Sequence, residues 1–357
     1  MKVGILTWYD VINYGSVFQA YALQEQLKTN GYEVEILRHD RVLPKYSGNE
    51  LDARSLAGTM RWLRNQSPRR RANRRNNRVK EEAFLSFQHN YLNIGAHCFK
   101  TNADYVLIGS DQIFDIKGLF YPFQFGKGIP CKQVGTYAPS FGETTYDSLQ
   151  ISEHYTEIID SIKKLDRVNG RDKNTTDILS YIRDEKVDEV LDPTLLYGFR
   201  KEKAVWNDRL IERNYCLVYT WGGYTTTKEF ANGCVKFAKK NGLKLVSIGE
   251  IRPWCDIQAA AASPVEFFEL FMHADMVLTN MFHGTCFSLL MERPFYSFLM
   301  PHNINKLGGL LNYMGLGSQG VHTPDLSGYE IPKIDWKSVE NTINNYRVIS
   351  KKCLVLK

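Results

Sequence analysis

The sequence predicts an α/β protein of two parallel-sheet units with a polar ligand held between them. Three observations predict it. The first forty or so residues alternate an apolar strand, an amphipathic helix and a second strand. A second series of short apolar strands and helices begins near residue 215. In both halves the strands end in glycine and polar side chains, the place where open α/β sheets hold ligands. At 357 residues the chain is long enough for two domains, each with its own core.

Residues 3–7 read as an apolar strand, and 8–16 as a polar turn containing Asn13, Tyr14, Gly15 and Ser16. A helix follows over 17–29, with Val17, Ala20, Leu23 and Leu27 at helical spacing on its apolar face. Asn30 and Gly31 stop it, and a second strand occupies 33–37. This is a βαβ unit of Rossmann type. Its strand-to-helix turn holds a single glycine, which excludes a dinucleotide fingerprint. Residues 41–100 read as a basic, helical excursion. The sheet resumes at 104–108 and exits through Gly109, Ser110, Asp111 and Gln112. A further strand at 134–137 exits through Ala138, Pro139, Ser140, Phe141 and Gly142. Next come a helix over 151–166 and the pair Arg171 and Asp172. Leu191, Asp192, Pro193 and Thr194 mark a strand exit near the expected domain boundary. The expected domains are 1–190 and 191–357, with the last helix packing back on the first domain. Strands at 215–220, 243–248 and 276–278, with helices at 225–241, 264–273 and 284–292, build the second unit.

A hydrophobic fraction of 43% and a charged fraction of 24% are ordinary for a globular protein. No apolar stretch approaches a membrane span. The opening residues read as a β-strand rather than a signal peptide, so a cytoplasmic location is expected. Seven cysteines without a Cys-x-x-Cys pair argue against a disulfide framework and a structural zinc site. No other metal-ligand pattern stands out. The net charge of +6 is local: nine basic residues and no acidic one lie between Arg61 and Lys80. The remainder is mildly acidic. That segment is either a solvated basic face or a docking strip for an anionic membrane or a lipid-diphosphate substrate. Nucleic acid is not expected, since Trp62 is the single aromatic residue within the run.

The most informative stretch runs from Asp275 to Ser288. A short apolar run over 276–278 ends in Thr279, Asn280, Met281, Phe282 and His283, and Gly284 and Thr285 open a helix. His283 would then stand at the carboxyl end of a sheet strand, above a helix N-terminus whose free N–H groups favour an anion. It is either a proton donor beside a bound anion or a core histidine bonded to backbone.

Taken in order, these motifs resemble the polysaccharide pyruvyl transferase family. The matching residues are Asn13 to Ser16, Gln19 to Gln24, Ile108 to Gln112, Tyr137 to Gly142, Arg171 with Asp172, Asp192 to Thr194, and Phe282 to Thr285. They extend over roughly residues 1 to 310. The resemblance implies a GT-B-like fold, two Rossmann-type domains facing each other across a cleft. It implies transfer of pyruvate from phosphoenolpyruvate to a sugar of a surface-polysaccharide intermediate, lipid-linked or nucleotide-linked, as a cyclic ketal with release of phosphate. His283 becomes the general acid. Arg171, Asn280 and the backbone of Gly284 and Thr285 become the donor side. Asn13, Tyr14, Gly15, Ser110, Asp111, Gln112, Ser140 and Phe141 become the acceptor side of the cleft. No cofactor or metal is implied, and the enzyme would work in the cytoplasm or at the inner face of the membrane.

The chain departs from the family at two places. At the first, Met281 stands where a serine or arginine is common and Asn280 where aspartate is common; at the second, the stretch Asn305-Lys306-Leu307-Gly308-Gly309-Leu310-Leu311 lacks the arginine usual in the segment leading to the family's Leu-Leu helix. If an arginine at the Met281 position normally grips the donor, Arg171, Arg293 or Lys306 must replace it. Two other functions remain open: a GT-B nucleotide-sugar glycosyltransferase, for which Trp221, Gly222 and Gly223 form the candidate diphosphate loop, and a catalytically silent scaffold in glycan assembly.

Overall fold

The computed structural model describes residues 1–39, 68–117, 120–301 and 303–356. In the first domain β1 (Lys2–Leu6), α1 (Tyr14–Thr29) and β2 (Glu33–Arg38) form the expected βαβ unit. After α2 (Pro68–Tyr91) come β3 (Ile94–His97), β4 (Tyr105–Ile108) and β5 (Gln133–Thr136). The sheet is parallel throughout, in the order β3-β2-β1-β4-β5. The excursion expected over 41–100 therefore closes with a sheet strand: Ile36 N donates to Asn93 O and carries the ladder into β3.

α1 begins three residues before its expected start. Asn13 Oδ1 accepts from the N–H groups of Gly15 and Ser16, so the cap draws Tyr14, Gly15 and Ser16 into the helix. The single helix expected over 151–166 is two, α3 (Tyr146–Gln150) and α4 (Tyr155–Lys164). Thr145 and Ser148 cap each other and start α3 early.

Beyond α4, β6 (Asn169–Gly170) and β7 (Asp188–Glu189) pair in parallel on either side of α5 (Lys173–Arg183). Two short helices, α6 (Pro193–Tyr197) and α7 (Glu202–Val205), lead into the second domain. Its strands are β8 (Tyr215–Tyr219), β9 (Lys244–Ile248), β10 (Ile257–Ala259), β11 (Met276–Thr279), β12 (Phe295–Phe298) and β13 (Gly320–Val321). They form one parallel sheet in the order β10-β9-β8-β11-β12-β13. The helices that accompany them are α8 (Lys228–Lys240), α9 (Pro264–Met272), α10 (Phe282–Leu290) and α11 (Ile304–Tyr313), with α12 (Trp336–Lys352) last. The architecture is GT-B-like: two Rossmann-type sheets with a site at their facing edges.

α1 is buried on nearly every side. One face covers the first sheet through Val17, Ala20 and Leu23; the other meets the second domain. Phe18 packs against Phe267, Phe268 and Phe287, and Tyr14 stacks on Phe267 with centroids 4.2 Å apart. A helix clasped this way must satisfy its buried polar side chains internally. Gln19 donates to Thr7 Oγ1 and Ser16 O and accepts from Ser110 Oγ.

α2 reinforces the same junction, with Phe84 beside Tyr14, Phe87 beside Phe18 and Tyr91 beside Trp206. The chain's end touches the first domain, where Leu356 N donates to the Tyr32 hydroxyl, and Ser350 Oγ in α12 accepts from Leu191 N. The basic run from Arg61 to Lys80 falls partly outside the described residues; of its basic side chains, those of Arg75, Arg78 and Lys80 are described. Among the described residues no helix is long and apolar enough to cross a membrane, and no group of three or more His, Cys, Asp or Glu could hold a metal ion.

Candidate active site

His283 is the second residue of α10, reached from β11 through Asn280 and Met281. Met281 occupies the capping position and its side chain makes no cap hydrogen bond. The N–H groups of Phe282, His283 and Gly284 are thus left without partners inside the helix. Thr285 N–H is not available in the same way, because it donates to Met281 O at 3.1 Å. α1, in contrast, is capped by Asn13. The two helix starts meet at the imidazole. A Cβ on Gly15 would overlap Nδ1 of His283, so only glycine lets α1 come this close.

The other ring nitrogen, Nε2, lies 3.3 Å from Oδ2 of Asp192, an ion-pair distance without hydrogen-bond alignment. Asp192 is buried in the connection between the domains. Its Oδ1 caps α6, accepting from Thr194 N at 3.0 Å and Thr194 Oγ1 at 2.7 Å. Its Oδ2 also accepts from Arg171 NH1 at 3.0 Å. The Arg171 guanidinium, 2% exposed, reaches Asp111 Oδ1 at 3.4 Å and lies 4.3 Å from the centre of the Phe282 ring. Asp111 Oδ2 accepts from Ser16 Oγ at 2.9 Å.

Charge explains why so many ionisable groups coexist here. Burial alone would raise the Asp192 carboxyl, but His283 and Arg171 reverse this and hold it below the usual carboxylate range. Burial acts on Asp111 in the same direction, and Arg171, then His283, pull it down. Burial would lower Arg171, and Asp111 with Asp192 raise it instead. Arg171 pairs with Asp111 and Asp192 rather than with Asp172, its neighbour in sequence. Asp172 caps α5 through Thr175 N and accepts from Ser140 Oγ at 2.6 Å.

A cavity of about 280 Å³ opens beside His283. Its walls include Asn13, Asp111 and Gln112 from the first domain and Asn280, Trp221 and Lys306 from the second. Lys306, on α11, is half-buried, and among the described residues its ammonium has no ion-pair partner. Burial lowers its affinity for the proton, and the neighbouring Arg171 adds to that.

Several residues expected at the cleft are held elsewhere. Tyr14 belongs to the interdomain core, its hydroxyl donating to Ala262 O at 2.6 Å. Ser110 Oγ is engaged by Gln19, and Phe141 packs on Phe114. Thr285 Oγ1 lies 2.7 Å from Ser297 Oγ, behind α10. A Cβ on Gly284 would overlap Thr279 Oγ1, so that residue serves the close approach of α10 to β11. Arg293 donates to Met291 O at the far end of α10, which removes it from the candidate cations. Asp192 caps the helix that Pro193 opens, and an aspartate before a proline signals that much in the sequence, while nothing local signals its second partner pair, Arg171 and His283. Lys306 was one of three candidate cations.

No curated protein sequence is matched by the chain. Solved structures with some likeness include a UDP-GlcNAc 2-epimerase from Neisseria meningitidis, at 9% identity and a TM-score of 0.49 over 100% of this chain and 95% of that one. Another is the E. coli heptosyltransferase WaaC, at 11% identity and 0.43 over 97% and 100%. Likeness this low bears on neither ligand nor reaction. The sequence model of the polysaccharide pyruvyl transferases is different in kind: it matches residues 13–300, from the cap of α1 to just beyond β12. That span contains Asn13, Gly15, Asp111, Arg171, Asp192 and His283, and with it the chain belongs to the polysaccharide pyruvyl transferase family.

Proposed function

We propose that this protein transfers pyruvate from phosphoenolpyruvate to a sugar of a surface-polysaccharide intermediate, with His283 as general acid. The observation that carries the reading is the uncapped start of α10. Free N–H groups and a half-buried lysine without an ion-pair partner, beside one small cavity, are an arrangement for a compact anion with more than one negative group. A volume of about 280 Å³ suits a three-carbon donor better than a nucleotide sugar, because pockets for drug-sized ligands begin near ~300 Å³.

In this reading Lys306 and the N–H groups of Phe282, His283 and Gly284 hold the donor's phosphate and carboxylate. Met281 helps by leaving those N–H groups uncapped. His283 gives a proton from Nδ1, the nitrogen that does not face Asp192, to the methylene carbon of phosphoenolpyruvate. The central carbon becomes oxocarbenium-like, and a sugar hydroxyl adds to it. Asp111, held ionised, accepts a hydrogen bond from that hydroxyl and orients it. Attack by a second hydroxyl with departure of phosphate closes the ketal; one hydroxyl proton returns to His283 and the other leaves with the phosphate. Arg171 works through Asp111 and Asp192, to which its guanidinium is bound, and Asp192 fixes the imidazole.

The test is phosphate release from phosphoenolpyruvate with a panel of sugar acceptors. Acceptor-dependent release is expected, abolished by His283→Ala. Lys306→Met should raise KM for phosphoenolpyruvate about tenfold or more, the loss of one charge-assisted contact being worth about 1.5–3 kcal/mol. Calorimetric binding of a nucleotide sugar with none for phosphoenolpyruvate would overturn the proposal in favour of a glycosyltransferase.

A further inference from the structure

We infer that Trp221 is the stacking platform for the acceptor, a pyranose ring laid flat against the indole at the mouth of the donor cavity. This rests on the pyruvyl-transfer reading of the cavity and adds a second binding site to it.

Trp221 follows β8, a central strand of the second sheet, at the carboxyl edge where α/β proteins hold ligands. It is 63% exposed, although indole is among the side chains with most to gain from burial. The exposure is not looseness. Asn280 Oδ1 accepts from Trp221 N at 2.8 Å, and Asn280 Nδ2 donates to Trp221 O at 2.7 Å. Asn280 is itself held through its carbonyl by Asn303 Nδ2 at 3.0 Å. One carboxamide therefore ties the tryptophan backbone to the turn that carries His283 three residues later.

After the tryptophan the chain turns away at once. Gly222 and Gly223 both have positive φ, 63° and 56°, and a Cβ on Gly222 would meet nothing within 4 Å. A backbone held by Asn280, an exposed ring and open space at the following Gly222 describe a surface prepared for a flat apolar face. The donor cavity, at about 280 Å³, leaves the acceptor ring to sit outside it. A pyranose suits that position: one face presents C–H groups to an indole, while its edge hydroxyls point toward Asp111 and the cavity. The diphosphate-loop role that the Trp221-Gly222-Gly223 sequence suggests is not needed.

The experiment uses the full chain with methyl pyranosides of glucose, galactose, mannose and N-acetylmannosamine as probes. Saturation-transfer NMR reads binding with and without phosphoenolpyruvate, and phosphate release reads turnover. For wild type, transfer to the ring C–H protons of at least one pyranoside is expected. Trp221→Ala should lose that signal and raise the acceptor KM about tenfold, equivalent to about 1.4 kcal/mol. KM for phosphoenolpyruvate should stay unchanged, and Trp221→Phe should restore most of the binding. An unchanged acceptor KM in Trp221→Ala would overturn the platform while leaving the pyruvyl-transfer reading standing. Absence of any wild-type pyranoside signal in the presence of phosphoenolpyruvate overturns it too. Trp221-dependent sugar binding without phosphate release would keep the platform and sink the donor assignment.

Discussion

Gly15 shows how much of this site depends on single residues doing work their type does not announce. Its glycine sits in the first turn of a helix, where alanine would favour helix formation by up to ~1 kcal/mol. The conformation does not require glycine; the imidazole packed against it does. Gly15→Ala should therefore lower turnover by roughly a hundredfold or more, the range lost with a general acid, by pushing His283 out of line. The fold and the thermal midpoint should change far less. Wild-type turnover in this variant would mean that the ring position carries no chemistry. The sequence places Gly15 in a turn and, through the family resemblance, on the acceptor side of the cleft; it does not show the contact with His283, because that neighbour lies 268 positions away. Asp192 has the same history: one oxygen does the local work of capping, and the other is used at long range by Arg171 and His283. His283 was legible because its whole setting, strand, turn and helix start, is local in sequence.

At the level of elements, periodicity gave strands and helices well wherever one face alone is buried. It misjudged α1, whose start is set by the Asn13 cap and whose Gln19 and Gln24 are buried because the helix is enclosed. α2 lies in the segment read as a basic, helical excursion, either a solvated face or a docking strip, yet Lys80 is drawn across to the second domain. Its ammonium donates to Gly249 O at 3.3 Å and lies 4.8 Å from the centre of the Tyr14 ring. Burial lowers its pKa to about 8, with Glu250 opposing. A lysine whose folded pKa is depressed binds its proton less tightly in the native chain than in the unfolded one. Below pH 8 folding bears the full penalty. Between about 8 and the unfolded value near 10.4 the penalty shrinks, because only the unfolded chain still holds the proton. Lys80→Met should thus stabilise the protein at pH 7 by about 1–3 kcal/mol. Denaturant titrations should show the two proteins converging as pH rises past about 10. A difference that is flat with pH would show that the ammonium is solvated in the folded state.

For the whole molecule the decisive question is whether the two sheets are separate bodies. Domains within a chain move relative to one another by default unless the interface is large and apolar. Here the core does not stop at the boundary. Phe18, fully buried on α1, touches Phe267, Phe268 and Phe287 of the second domain and Phe87 of α2. Phe199, beside α6, completes the contact around Phe18. The sequence could not foresee this continuity, since an apolar helix face looks the same whether it covers its own sheet or a second domain. The site follows from it: Gly15 and Ser16 reach His283 and Asp111 because Phe18, one turn on, is locked against α9 and α10. Unfolding should accordingly be a single cooperative transition, with calorimetric and van't Hoff enthalpies in agreement. Phe18→Ala should lower stability by about 3–5 kcal/mol and lower the midpoint of the whole transition. Two resolved calorimetric peaks in the wild type, or a Phe18→Ala protein in which one peak alone moves, would show independent domains. In that case the cavity around His283 would have to be assembled on closure, whereas a single transition is the behaviour of two sheets that share one core, with the cavity between them already in place.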